Sequence, residues 1–384
     1  MEEHKIDENS DDVPNLISKN QWNSPRLRWI DQVRGAIMLG LVLTVAIDVE
    51  IESGSVLEFF LAHAGREATY MTLYDVGAAA FIFIIGLSMG IAFKKRQKSV
   101  GIQKSLVHIG IRFLALFAVG FLIVMADGGL MQERDDLIVI RWDVVISIAV
   151  TYLLTTPFLF IKKVHLRFLV GLCWASLYQV LLLTTGLRAY AIASNHGGIF
   201  GTLFGYIAIS VMASAIGEYL YFDSTIEEDK KYQHVLILGI FFLVLGVLIA
   251  FIPGMEAAKR QVSLTYVIIS CGVTILGMNI FIFFDRKKNL ELSYLRAYGV
   301  NPFLMYFLAE IPSFLIEQFI GTDLGITPEI IGNLILTVIL LGVTSFIAIF
   351  TYKKKKIIPT EKIAGLGFVF LVILVIILLL TGNL

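Results

Sequence analysis

The chain has 384 residues, of which 57% are hydrophobic and only 16% charged; 31 basic residues balance 31 acidic ones, and the mean hydropathy is +0.80. Soluble domains run at about 45–50% apolar and about 25% charged, so a soluble globular protein is excluded and a lipid bilayer becomes the first expected partner. The zero net charge argues against a nucleic-acid partner, and two cysteines, Cys173 and Cys271, cannot make a disulfide framework.

In chain order, residues 1–25 read as a polar, acidic, disordered tail. No basic n-region followed by an apolar h-region marks a cleavable signal peptide. Residues 26–384 form a single helical membrane domain on this reading. A helix needs about 20 apolar residues to cross about 30 Å of hydrocarbon, and eleven segments qualify: 35–52, 73–93, 105–126, 138–161, 165–185, 198–221, 233–252, 262–284, 297–317, 329–352 and 362–381. No strand-like alternation competes with them. The expected fold class is therefore an all-α polytopic membrane protein of about 11 transmembrane helices. With the N-terminus in the cytoplasm, 24 of the 31 Lys and Arg residues fall in inner segments and six in outer ones. The positive-inside bias thus predicts a cytoplasmic N-terminus and an outer C-terminus.

Against this apolar background, ionisable groups at membrane depth are candidate functional groups. The first outer loop, "FFLAHAGREATYMTLYDVG", holds His63, Glu67 and Asp75. His63 and Glu67 stand at i and i+4, sharing a face if the loop is helical. An imidazole held by a carboxylate is the usual general base near neutral pH, and a solvated loop histidine is the plainer alternative. Asp48 and Glu50 end the first span. In "WIDQVRG", Asp31 and Arg34 can pair along one helix face, as a helix-start device or as part of a site. Asn195 and His196, in "ASNHGGIFG", form a second outer-loop candidate. Gly86–Gly90 and Gly197–Gly201 have the four-residue spacing of close helix packing. No spacing resembles a zinc set, so no metal is expected, and neither a nucleophile elbow nor a phosphate loop is present.

Three stretches, "RLRWIDQVRGAIMLGLVL", "HAGREATYMTLYDVGAAAFIFIIGLSMGIAFKKR" and "LRAYGVNPFLMYFLAEI", with "IRWDVVISIAVTYLL" between them, resemble the heparan-α-glucosaminide N-acetyltransferase-like branch of the transmembrane acyltransferases. The histidine is followed by "AGREATY" where that branch has a tryptophan-containing triplet, and a valine stands where it has a polar residue late in span 1. The resemblance implies an enzyme that moves acetyl from cytosolic acetyl-CoA to an amino-sugar or glycan acceptor on the outer side. It implies His63, Asp75 and Asp48 as catalytic residues. Arg34, Lys94, Lys95, Arg96, Asn301 and Tyr306 are the candidates for binding acetyl-CoA, and Glu67, Asn195 and His196 for binding the acceptor. The basic clusters after spans 2, 8 and 10 suit CoA phosphates, and equally the positive-inside rule. A homodimer and a prokaryotic cell membrane complete the expectation. A sugar or lipid-linked-sugar transporter, an envelope-polysaccharide O-acyltransferase and a non-catalytic scaffold stand as alternatives.

Overall fold

Backbone polar groups in hydrocarbon must be satisfied within their own segment, and the apolar runs of this chain answer with helices. The computed structural model describes residues 27–45, 59, 63–65, 68–126, 129–309 and 329–381. The helices are α1 (Arg28–Val45), α2 (Val76–Val100), α3 (Ile102–Ala126), α4 (Val144–Thr155), α5 (Val164–Thr184), α6 (Leu187–Ala193), α7 (Ile207–Phe222), α8 (Glu228–Ala250), α9 (Leu264–Lys287), α10 (Ser293–Val300), α11 (Glu329–Lys353) and α12 (Thr360–Thr381). Six helices among the described residues are long and apolar enough to cross a membrane: α2, α3, α5, the helical run Asn195–Phe222 that ends in α7, α8 and α9. Two shorter apolar helices, over Val144–Phe160 and Thr337–Lys353, accompany them. This is a mostly helical integral membrane protein.

Two local departures from the sequence reading have clear causes. Part of the predicted span 138–161 is a β-hairpin, β1 (Met131–Arg134) paired antiparallel with β2 (Leu137–Ile140). Asp135 and Asp136 both take positive φ, at 54° and 59°, the geometry a two-residue type I′ turn needs. The helix then starts only after Asp143, whose carboxylate accepts from the Val145 amide at 2.7 Å as an N-cap. The predicted span 297–317 is likewise interrupted. α10 stops at Val300 and Asn301 leaves helical geometry before Pro302, a residue that disfavours the α-region in its predecessor.

The centre of the bundle is α7 against α2, with α5, α9 and α1 around them; α3 and α8 lie at the periphery. Small residues set the closest approaches. A side chain at Gly86 or Gly90 would run into the backbone of Ser210 or Ser214 on α7, and one at Gly299 on α10 into α1 at Asp31. Of the glycine spacings read from the sequence, Gly86–Gly90 is a helix-packing contact, whereas Gly197 and Gly201 make room for Val262 in the loop before α9.

Candidate functional site

The site is built where the loop before α2 meets the loop before α9. Asp75 stands at the N-cap of α2, yet its side chain does not cap the helix; the carboxylate turns back into its own loop. Completely buried, it accepts from the Thr72 amide at 2.9 Å, the Thr72 hydroxyl at 3.1 Å and the Ala64 amide at 3.2 Å, all on Oδ2. Its other oxygen, Oδ1, accepts from His63 Nδ1 at 2.7 Å. The Tyr266 hydroxyl donates to the Asp75 carbonyl at 2.9 Å, tying this corner to α9. The carboxylate that serves His63 is thus Asp75, twelve residues on; Glu67 and Asp48 lie outside the described residues.

Lys259 completes the cluster. Its Nζ is 3.4 Å from Asp75 Oδ1, 2.7 Å from His63 Nδ1 and 3.0 Å from His63 Nε2. An ammonium this close to both ring nitrogens lies against the ring rather than along an in-plane lone pair; with the Nδ1 proton given to Asp75, the Nε2 lone pair is the one able to accept a proton. The loop that presents Lys259 is firmly tied. Gln179 on α5 donates to the Gly254 carbonyl and accepts from the Leu264 amide, and the Ser263 hydroxyl donates to the Glu256 carbonyl at 2.8 Å.

Burial lowers the His63 pKa below its usual value, against the Asp75 hydrogen bond that raises it, so the ring is neutral at pH 7. Burial alone would raise Asp75, but the His63 hydrogen bond, the Lys259 charge and the Thr72 amide hold it down to about 2. Burial pushes the Lys259 ammonium down to about 8, opposed by Asp75.

Two cavities share this cluster. One, of about 500 Å³, is polar: His63, Asn195, His196 and Lys259 line it together with Arg188, Glu256 and Arg260. The other, of about 570 Å³, is walled mainly by apolar side chains of α1, α2, α4 and α9, and also touches His63, Asp75, His196 and Lys259. Its walls continue along α9 past Gly277 to Phe281, about 25 Å from Leu264 at 1.5 Å per residue. Both volumes fall in the range of about 300–1,000 Å³ typical of ligand pockets.

Asn195 accepts from Arg134 and Arg260 at 3.5 and 3.4 Å. His196 sits in left-handed backbone at φ 52°, and its Nδ1 is 3.3 Å from the Tyr206 hydroxyl. Of the candidate residues, the structure brings His63, Asp75, Asn195 and His196 together around the two cavities.

The residues expected to hold CoA lie elsewhere. Arg34 is paired with Asp31 at 3.4 Å and donates to Ser88. Lys94 bonds Glu218 and lies over the Phe222 ring, Lys95 lies over Tyr221, and Arg96 is exposed in the same turn. Lys94 is nineteen residues beyond Asp75 on α2, so about 28 Å away. Asn301 is clamped between the Lys356 carbonyl and the Ile358 amide. Of this set only Tyr306 reaches the apolar cavity.

Lys259 was the residue missed. In sequence it is one of a basic pair in "AAKRQVSLTY", where it counted only toward charge bias. Two cations in a short loop between apolar runs, on the side where cations are scarce, were the available signal.

In this helical membrane protein the imidazole–carboxylate pair stands between a polar chamber and an apolar one. The GWT1 family model matches residues 21–309, more than half of the chain, and the chain belongs to that family. GWT1 is a family of membrane acyltransferases, associated with inositol acylation in GPI biosynthesis. No curated protein matches the chain. The match overturns the resemblance to the heparan-α-glucosaminide N-acetyltransferase-like branch, which is a different acyltransferase family. The stretches behind that resemblance hold residues with positional duties: Asp31 and Arg34 at a helix start, Gly86 and Gly299 at helix crossings. Any bundle with buried helix starts asks for such residues, so short motifs of this kind discriminate poorly between families.

Proposed function

We propose that this protein transfers an acyl chain from a CoA thioester to a hydroxyl group of an anionic, polyol-bearing lipid headgroup, on the side of the membrane away from the cytoplasm. The carrying observation is that an apolar cavity and a polar cavity open onto the same imidazole. The polar chamber suits the acceptor. Among its described lining residues Arg188, Lys259 and Arg260 outnumber the single carboxylate Glu256, a balance that favours phosphate. The apolar chamber is far larger than an acetyl group needs and suits a long acyl chain. The family's association with inositol acylation agrees with a hydroxyl acceptor. The bias of basic residues toward the opposite pole supports the orientation.

His63 Nε2 takes the proton of the acceptor hydroxyl as its oxygen attacks the thioester carbon. Asp75 fixes the tautomer and steadies the imidazolium that forms. Base catalysis of this kind contributes about 10²–10⁴-fold.

The test is acyl transfer by the purified protein in vesicles containing phosphatidylinositol, with labelled acyl-CoA donors of two to sixteen carbons. Each buried methylene adds about 0.8 kcal/mol, so kcat/KM is expected to rise roughly fourfold per methylene until the cavity is filled. Gly277, on the cavity wall with open space at its Cβ position, sharpens the experiment: Gly277→Leu should shorten the preferred chain and spare short donors. Ester formation with acetyl-CoA alone, or no ester with any donor, would overturn the proposal.

A further inference from the structure

Lys259 contacts both members of the proposed base pair from a loop far away in sequence, and base catalysis gives it no task. An ammonium carries three donors. In the resting site Nζ stands 3.4 Å from Asp75 Oδ1 and lies against the imidazole, 2.7 and 3.0 Å from its two nitrogens. Asp75 is the carboxylate that pairs with it, and Lys259 lines both cavities at the point where they share His63. With an acceptor hydroxyl on the Nε2 lone pair, the ammonium beside the ring stands where the two cavities meet, within reach of the carbonyl oxygen of a thioester brought up for attack.

We propose that Lys259 is the oxyanion donor of this site, a catalytic residue whose ammonium binds the carbonyl oxygen of the thioester as it becomes negative; this rests on the acyl-transfer reading above. The hydroxyl oxygen forms a bond to the carbonyl carbon, and its proton goes to His63 Nε2. The carbonyl electron pair moves onto oxygen, where Lys259 Nζ stabilises it. Collapse of the intermediate breaks the carbon–sulfur bond, and the thiolate leaves with the proton from His63. The lysine keeps its proton throughout. Asp75 has two functions here: it orients the imidazole, and it holds a cation at the carbonyl that would otherwise be costly to bury.

The groups around Lys259 fix its pH behaviour. Asp75 and His63 face it from the loop before α2, His196 from the turn after α6, Arg188 from α6 itself, and Arg260 and Glu256 from its own loop. A catalytic ammonium must be charged, so activity falls as pH rises past about 8. A catalytic imidazole must be neutral, so activity rises with pH through a His63 value below about 6.5. The expected kcat profile is a bell.

The test uses the full chain in vesicles, as wild type, Lys259→Met and Lys259→Arg, with kcat and KM measured from pH 5 to 10. Lys259→Met should lose roughly 10²–10³ in kcat, with acceptor KM changed less than about threefold, and any residual activity should lack the alkaline fall. Lys259→Arg should fold with its charge retained and shift the alkaline fall out of the measured range, because guanidinium stays protonated above about pH 12. A wild-type profile without an alkaline fall, a Lys259→Arg profile that still falls near pH 8, or a Lys259→Met loss confined to KM would each overturn the assignment. If Lys259→Met does not fold, the Lys259→Arg profile decides. Absence of ester from the wild type fails the acyl-transfer reading itself, an outcome distinct from a wild type that works and a methionine variant that works equally well.

Discussion

At the Lys94 end of the bundle and at the His63 end, charges meet under opposite rules. Around Lys94, Glu218 receives Lys94 on one oxygen and Arg167 on the other, and the almost wholly buried Arg167 also donates to the Ser214 and Leu159 carbonyls. Nearby, Arg286 and Lys287 are matched by Glu228 and Asp229. These pairs close on themselves and bolt α2, α5, α7, α8 and α9 together. Around His63 the carboxylate is even more deeply buried, yet the imidazole it holds keeps about half its side-chain surface accessible, above two cavities. Charge whose partners are all in the protein reads as scaffold; charge held rigidly at the edge of open space reads as chemistry.

His63→Ala separates the two ends most sharply. Removing a proposed base should cost about 10²–10⁴ in acyl transfer and lower stability by only about 1–2 kcal/mol, because Lys259, Thr72 and Ala64 still hold the buried Asp75. A variant that retains full activity would remove His63 from the mechanism. Glu218→Ala should do the reverse. It strands a buried guanidinium and a lysine, at a cost of about 3–5 kcal/mol, read as a lowered denaturant midpoint. Activity per folded molecule should be preserved; a selective loss of turnover would assign the Lys94 end a part in the reaction.

The smallest effect concerns acid. Asp75 titrates at about 2 in the folded protein against an ordinary value of 3.8. A carboxyl with a depressed value stabilises the fold above its unfolded value, and that contribution disappears as pH falls through the folded one. About 2 kcal/mol should therefore be lost between pH 4 and 2. Asp75→Asn should show a flatter melting temperature over that window than wild type; an identical slope would mean that other carboxyls carry the acid sensitivity.

Much of this architecture was legible from hydropathy. Six of the predicted spans correspond to helices long and apolar enough to cross a membrane among the described residues, because a run such as "VLILGIFFLVLGVLIAF" has no alternative in lipid. The hairpin at 131–140 escaped because "LIVI" is apolar enough to be absorbed into the neighbouring span, and because Asp135–Asp136 replaces the asparagine–glycine that advertises such a turn. His63 and Asp75 could be singled out because polar groups beside apolar runs demand a reason. The partnership of His63 with Asp75 could not be read from helical spacing, since Thr72 and Ala64, not a helix face, aim the carboxylate. Lys259 lies 196 residues from His63, a contact that only tertiary folding makes. The family was the hardest to read, for the motif residues answer to packing as much as to chemistry.

Val262, three residues beyond Lys259, is wholly buried in left-handed backbone, and its side chain fills the space left by Gly197, Gly201 and Gly205. The gauge between imidazole and ammonium therefore depends on an apolar wedge that takes no part in any proton transfer. A methyl group added at Gly205, or one removed from Val262, would retune the reaction centre mechanically, leaving every polar atom of it chemically intact.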